Sequence, residues 1–552
     1  MVMNILLFLI TFSSIYSSDL TLEYFQDGRR GDLYKVWVYF DKKDSSKVKN
    51  LDNASVKRRM KHNIFEPTKH DYLINQTYIN QIREFVVEVK HQSRWLNAIS
   101  VIVDFEKIEI IKNFRFVKKI EPVKKHMKKR SIQSINNVNN QIRNINYGLS
   151  YDQIEQINCR IPHVAGYFGQ GVRVLYIDTG YELGHDAYDS LNLIAQYDFV
   201  NDDDNTANDT DQEFLENQDD HGTICLSVMA GYSPGNLIGP AYKAEYLLAK
   251  TEVVANEIYQ EVDNYVAAME WGEALGADVA CASLGYYDWY NYSDLDGNTA
   301  ATSIAVDIAA SLGVLCVNSA GNEGDDPWRY VCTPADADSI LSIGAVNRDG
   351  IIANFSSRGP TYDGRIKPEV CALGVNTYSV RSNTGDSYRA ASGTSFSAPL
   401  VAGAAAVILS ANPDWTNMQV REALMMTASS SNNPDNTYGY GIINTWAAIN
   451  YLFTSKITNN KIIPHSLKIN EAYPNPFNPI THVKVQSELM PPSITLSVYN
   501  INGKLIKTFY KETMNARSIN IEWNARGNSS GIYFIKVDWL GGSKTQKVTL
   551  VN

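Results

Sequence analysis

Between about residues 145 and 450, short runs of Val, Ile, Leu and Ala ("GVRVLYID", "YLLAK", "GADVACASLG", "GVLCVNSAG", "ILSIGAV") alternate with helical stretches such as 257–275 and 300–312. Unbroken apolar strands separated by helices predict β-α-β units around a parallel sheet buried on both faces. The last 85 residues change period. There "HVKV", "ITLSVY", "SINIEWN", "IYFIKVDW" and "QKVTLV" alternate polar with apolar positions and are punctuated by Asn502-Gly503 and Gly541-Gly542, which predicts a small antiparallel β-sandwich. Residues 19–130 read as an α+β module, with the strand "YKVWVYF", a helical stretch over 78–88 and a long apolar run from residue 97. "ILLFLI" near the start is too short to span a bilayer and reads as part of a secretory signal over 1–18, although no Lys or Arg precedes it. The expected organisation is therefore a signal at 1–18, the α+β module at 19–130, an α/β domain with a doubly wound, mostly parallel sheet at 131–454, a polar linker at 455–467 and the sandwich at 468–552.

The segment "SGTSFSAPLVAGAAAV" at 392–407 sets hydroxyls against a run with no polar stripe, the mark of a fully buried helix. Pro399 is expected in its first turn, where a missing N–H costs nothing. Ser395 then stands at the positive end of that helix, where a developing negative charge is favoured.

A net charge of −10 conceals an asymmetry. Residues 1–130 carry 25 Lys and Arg against 15 Asp and Glu, so the remainder carries an excess of 20 negative charges. Because the basic residues are interleaved with strand-forming runs, the reading is a folded basic module whose partner is the rest of the chain, and not a nucleic acid. The module ends in "KKHMKKRS", an exposed basic run of the kind proteases cut. Six cysteines fall in the middle region without a CxxC pair, which argues against a zinc or thioredoxin-type site; export permits disulfides, and the spacing selects no pairing.

Three segments end apolar strands or open small-residue helices with one functional group each. "VLYIDTG" ends on Asp178, "DDHGTICLSVMAG" opens at His221 and "GTSFSAP" opens at Ser395. An orienting carboxylate, a general base and a hydroxyl nucleophile are the parts needed to activate a serine. A fourth segment, "NSAGNEG" after the strand "GVLCV", offers the Asn322 carboxamide, which with the Ser395 backbone N–H makes two donors for an oxyanion.

"DTG", "HGT", "AGNEG" and "GTSFSAP", in that order over about 300 residues, resemble the subtilisin-like serine endopeptidases, whose Asp, His, Ser chain order is an established pattern. The resemblance implies that Ser395 is the nucleophile, His221 the general base and then acid, Asp178 its orienting partner and Asn322 the oxyanion donor. It also implies that Ser283, Leu284 and Gly285 pair with substrate backbone and, with Ser319, Ala320 and Gly321, border the first specificity pocket. No acidic residue occurs in either stretch, so apolar side chains are expected there over basic ones. The substrates are then polypeptides, and no cofactor is needed for catalysis. Residues 19–130 resemble this family's inhibitory propeptide, with cleavage expected within 127–148. Cys225, four residues after His221, falls under the imidazole; relatives with such a cysteine are sensitive to mercurials, while a small buried apolar residue is the plainer reading. His185 is expected to be structural. The run "NDDDNTANDTDQEFLENQDD" offers carboxylates to a structural Ca²⁺ but lacks EF-hand spacing, and a solvated acidic insertion is the simpler expectation.

"AYPNPFNPIT" at 472–481, with "VYNINGKLIK" and "IEWNARGNSSGIYFIKV", resembles the sorting domain of the type IX secretion system. It implies outer-membrane export machinery as a partner and a secreted or surface location. The alternative for the whole chain, a catalytically inactive subtilase acting as a surface binding protein, would require a missing triad member, and none is missing.

Overall fold

The structure, a computed structural model, describes residues 24–65, 67–123, 145–255, 260–288, 290–453, 468–486, 493–501, 504–512, 518–539 and 542–551. The signal, the basic run with most of the expected processing region, the linker and the Asn502-Gly503 turn lie outside the described residues. By its contacts the chain divides into two units, 1–451 and 452–552.

In the first unit, the N-terminal module comprises β1 (Leu33–Phe40), α1 (Asn53–Lys61), α2 (Gln76–Arg83), β2 (Glu88–Ser93), β3 (Ala98–Asp104), α3 (Phe105–Lys112) and β4 (Val117–Pro122). Its sheet is antiparallel in the order β4-β1-β3-β2. The period of two divides each strand between two partners. Val36, Val38, Ile99, Val101 and Val103 form the module's own core with Ile79, Ile82, Ile108 and Ile111 of the helices. The intervening Lys35 and Ser100 instead reach Asp263 of the next domain, at 2.8 and 2.7 Å.

The α/β domain follows with β5 (Arg173–Asp178), β6 (Asn192–Asp198), α4 (Asp220–Ala230), β7 (Glu245–Lys250), α5 (Gln260–Ala274), β8 (Val279–Ala282), α6 (Ala301–Ser311), β9 (Leu315–Ser319), β10 (Ile340–Val346), β11 (Val370–Leu373) and α7 (Thr394–Ala411). Seven parallel strands lie in the order β11-β10-β9-β8-β5-β7-β6. Alternate residues serve opposite layers. Val174, Tyr176, Cys281 and Val317 pack with α4 and α7, and Leu175, Ile177, Ala280 and Cys316 pack with α5 and α6. All six cysteines are buried, and none is in a disulfide.

Helix α7 differs from expectation at its start. It begins at Thr394, so Pro399 is its sixth residue and lies beyond the first turn. The hydroxyl segment is itself helical, with Ser397 Oγ bonding back to Thr394 O at 2.9 Å and Thr394 tied into the neighbouring loop, as described below. The proline therefore interrupts a formed helix.

The second unit contains β12 (Ile480–Gln486), β13 (Ser493–Asn500), β14 (Leu505–Glu512), β15 (Ser518–Asn524), β16 (Gly531–Trp539) and β17 (Gly542–Leu550). β12 and β15 pair in one antiparallel sheet and β14-β13-β16-β17 form the other. Phe477, Val483, Val485, Leu496, Val498, Trp523, Ile535, Val537 and Val548 form their shared core.

Candidate active site

The carboxyl end of β5 and the first turn of α4 meet at unusually short range. A methyl group placed on Gly222 would stand 2.2 Å from the Gly180 carbonyl oxygen and 3.0 Å from Asp178 Cβ, so only a glycine lets these two backbones touch. The contact brings His221 Nδ1 to 2.6 Å from Asp178 Oδ1. Asp178 is fully buried, and the same Oδ1 accepts the Thr179 N–H at 2.8 Å. A buried carboxylate bonded to Nδ1 fixes the ring's orientation and leaves Nε2 as the nitrogen available for proton transfer.

Threonines hold the junctions. Thr179 Oγ1 accepts the Gly222 N–H at 3.1 Å, and Thr223 Oγ1 accepts the Glu182 N–H at 2.7 Å while donating to Asp219 O at 2.6 Å. Thr394 Oγ1 lies 3.0 Å from Asn322 Oδ1 and 3.2 Å from Gly321 O, and the Thr394 N–H donates to the same Asn322 oxygen at 2.9 Å. With its oxygen so occupied, the Asn322 carboxamide has only N–H groups left to offer, on a side chain that is exposed. Each of the motifs "DTG", "HGT" and "GTS" thus contains the threonine that fastens it to its neighbour. Sequence reasoning passed over these residues, although their recurrence was visible.

Ser395, on the first turn of α7, is 7% exposed. Its hydroxyl is 3.2 Å from Ser283 O, and no hydrogen bond joins it to His221 Nε2. Cys225 Sγ is 3.7 Å from His221 Nε2 and is part of the apolar core beneath the ring. His185 is buried, bonded to Ser387 O at 2.8 Å and to the Ala187 N–H, which accounts for it structurally.

The expected substrate walls, 283–285 and 319–321, are adjacent: Leu284 O accepts from Asn318 Nδ2 at 2.7 Å and from Ser319 Oγ at 3.2 Å. Ser283, Leu284, Ser319 and Ala320 are buried, and the hydroxyls of Ser283 and Ser319 are committed to Ser395 O and Leu284 O, so what these residues would offer a ligand is backbone. Glu323, absent from the sequence expectation, lies beside them and is buried, its Oε2 accepting the Asn322 N–H at 2.6 Å.

The acidic run before His221 is organised by an internal cation. Lys250, fully buried, places Nζ 2.8 Å from Asp198 Oδ2 and on Glu213 Oε1. Burial alone would raise the Glu213 carboxyl, but the ammonium and the Asp209 N–H hold it below the ordinary range. Asp219 is committed to Asn208 at 2.9 and 3.1 Å. The two buried carboxylates of the run, Glu213 and Asp219, are thus taken by an ammonium and by amides.

The basic module binds α5. Glu273 accepts Arg58, Arg59 Nε at 2.9 Å, Arg59 Nη2 at 3.0 Å and Ser55 Oγ at 3.1 Å. Glu270 accepts Ser93 Oγ at 2.6 Å and the Trp95 N–H at 3.1 Å. His91 Nε2 lies 2.8 Å from Asn264 Oδ1, and the His62 ring packs against Gly313, where an added methyl would come within 2.6 Å of Cδ2.

Comparison with known proteins agrees with this architecture. Residues 169–441 match the subtilase family, 35–140 the peptidase S8 propeptide domain of Bacteroidota, and 471–551 a secretion system C-terminal sorting domain. Subtilisin E of Bacillus subtilis is 31% identical over 366 residues, 65% of this chain and 83% of the relative. A subtilisin of Bacillus pumilus is 33% identical over 311 residues, 55% of this chain and 99% of the relative. An alkaline protease of Shouchella clausii is 28% identical over 391 residues, 69% and 92%. The chain belongs to the subtilase family of serine endopeptidases, made as a zymogen with its own propeptide and carrying a C-terminal sorting domain for export to the cell surface or medium.

Proposed function

We propose that this protein is an exported endopeptidase that hydrolyses polypeptides through an acyl-enzyme on Ser395, with His221 as general base and then acid and Asp178 orienting the imidazole. The observation that carries this reading is the 2.6 Å bond from His221 Nδ1 to a fully buried Asp178 carboxylate at a glycine-tight strand and helix junction. In the reaction, His221 Nε2 takes the Ser395 proton as Oγ attacks the scissile carbonyl. The oxyanion is stabilised by the Asn322 amide and the Ser395 N–H, and the imidazolium returns its proton to the leaving amine. Backbone of Ser283, Leu284 and Gly285 would pair with the acyl side of the substrate, bordered by Ser319, Ala320 and Gly321, with apolar side chains preferred in the first pocket. No cofactor takes part in these steps.

The domain limits that accompany this reading are 19–130 for the propeptide, 131–454 for the catalytic domain and 468–552 for the sorting domain, the last engaging type IX outer-membrane machinery. Cleavage in 127–148 by the chain's own Ser395 would release the propeptide. The test is labelling by a fluorophosphonate combined with casein hydrolysis. Wild-type enzyme is labelled and active, whereas Ser395→Ala is unlabelled, inactive and unprocessed. Asn322→Ala should lower kcat by about 10²–10³, the loss known for removal of such a donor in a member of this family. A correctly folded wild-type protein that binds peptides without being labelled would establish the binding-only alternative.

A further inference from the structure

Helix α7 contains an unusual pair four residues apart. In an α-helix the carbonyl of Ser395 would receive the N–H of residue 399, but residue 399 is proline, which has no N–H and whose ring pushes the carbonyl four residues back away from the axis. The nucleophile's own carbonyl therefore lacks its i+4 donor. Ser283 Oγ supplies one at 2.9 Å. Ser283 Oγ in turn lies 3.1 Å from the hydroxyl of Tyr176, a fully buried residue of β5 two positions before Asp178. Because the Ser283 hydroxyl has one proton and gives it to an acceptor-only carbonyl, Tyr176 must be the donor to Ser283. Burial, reinforced by neighbouring Cys225, Cys281 and Asp178, pushes the Tyr176 phenol far above its ordinary range, so it remains protonated. The Tyr176 carbonyl is itself held by Tyr181 Oη at 2.9 Å.

We infer that Tyr176 is a positioning residue for Ser395: its hydroxyl orients Ser283, which replaces the hydrogen bond that Pro399 denies the nucleophile's carbonyl and so fixes the first turn of α7 against the sheet. This rests on the proposed role of Ser395. Removing the phenol oxygen frees the Ser283 rotor, and the turn bearing the nucleophile loses its fixed distance from His221.

The test measures kcat and KM on a peptide substrate, and the second-order rate of serine-directed inactivation, in the processed enzyme. Tyr176→Phe is expected to lower kcat and the inactivation rate together by about five- to ten-fold, the worth of one neutral hydrogen bond, with KM nearly unchanged. In a Ser283→Ala background the same change should have no further effect. Pro399→Ala restores the backbone N–H, and in that background Tyr176→Phe should cost less than about two-fold. The inference is overturned if Tyr176→Phe acylates at the wild-type rate. It is equally overturned if the Tyr176 effect is undiminished with Ser283→Ala or with Pro399→Ala, which would mark a packing role. Should Tyr176→Phe fail to fold, Ser283→Ala with and without Pro399→Ala decides the matter, since the added N–H must recover rate. Labelling that persists in Ser395→Ala would instead refute the nucleophile assignment and is read separately.

Discussion

Two regions of the first unit are assembled by opposite means. The propeptide face of α5 is held by buried charge, with Arg58 and Arg59 on Glu273 and Lys35 on Asp263. The catalytic end of the sheet, beside the charged pairs of Asp178 with His221 and Lys250 with Asp198, joins its motif loops by neutral clamps, the threonines of the three motifs and the serines around Ser395, and by glycines that let backbones touch. Charge suits a joint that must come apart, because both sides regain hydration on release and the free energy responds to pH. Neutral short-range bonds suit a site that must keep its geometry through many turnovers.

The comparison can be broken in a graded series. The largest effect is expected from Glu273→Leu, which leaves the buried Arg58 guanidinium without its carboxylate and Arg59 with Asp71 alone. Affinity of the separated propeptide for the mature enzyme, measured by inhibition, should fall by about 10²–10³ or more, while kcat of the mature enzyme stays near wild type. A parallel loss of kcat would show that the two regions are not independent. Next, Gly222→Ala forces Asp178 and His221 apart and should reduce kcat/KM by about 10² or more, with propeptide affinity retained.

The smallest effect concerns pH. Burial, with Lys61 and Arg58 alongside, lowers His62 to about 4, and burial also lowers His91. A histidine whose pKa is depressed in the complex takes up its proton more readily when released, so docking is at full strength above about pH 6.5 and weakens as pH falls toward 4. At pH 5 propeptide affinity should be about ten-fold below its value at pH 7.5 on account of His62, after discounting for solvent. His62→Gln should flatten that part of the profile. A profile unchanged by the substitution would place the titration elsewhere on the interface.

Much of this was legible in the chain. The apolar runs marked five of the seven strands of the parallel sheet, missing the edge strands β6 and β11, and "DTG", "HGT" and "GTS" each delivered its candidate residue to a strand or helix end. The excess of positive charge in residues 1–130 anticipated the face that meets Glu270 and Glu273. Pro399 was expected in a first turn because a missing N–H is tolerated there, whereas it is the sixth residue of α7. Its true place inside α7 goes with the bonds that tie Thr394 to Gly321 and Asn322, partners that local pattern does not reveal.

Period and composition therefore determined the layers and the sign of each surface, since these follow from neighbours along the chain, while the order of the proposed catalytic groups came from the resemblance of their motifs to a family. Which carboxylate a lysine such as Lys250 neutralises, and how Tyr176 reaches Ser395 through Ser283, depended on strands far apart in sequence becoming adjacent. Hydrogen bonds act over about 3 Å, and only the folded sheet sets distances on that scale.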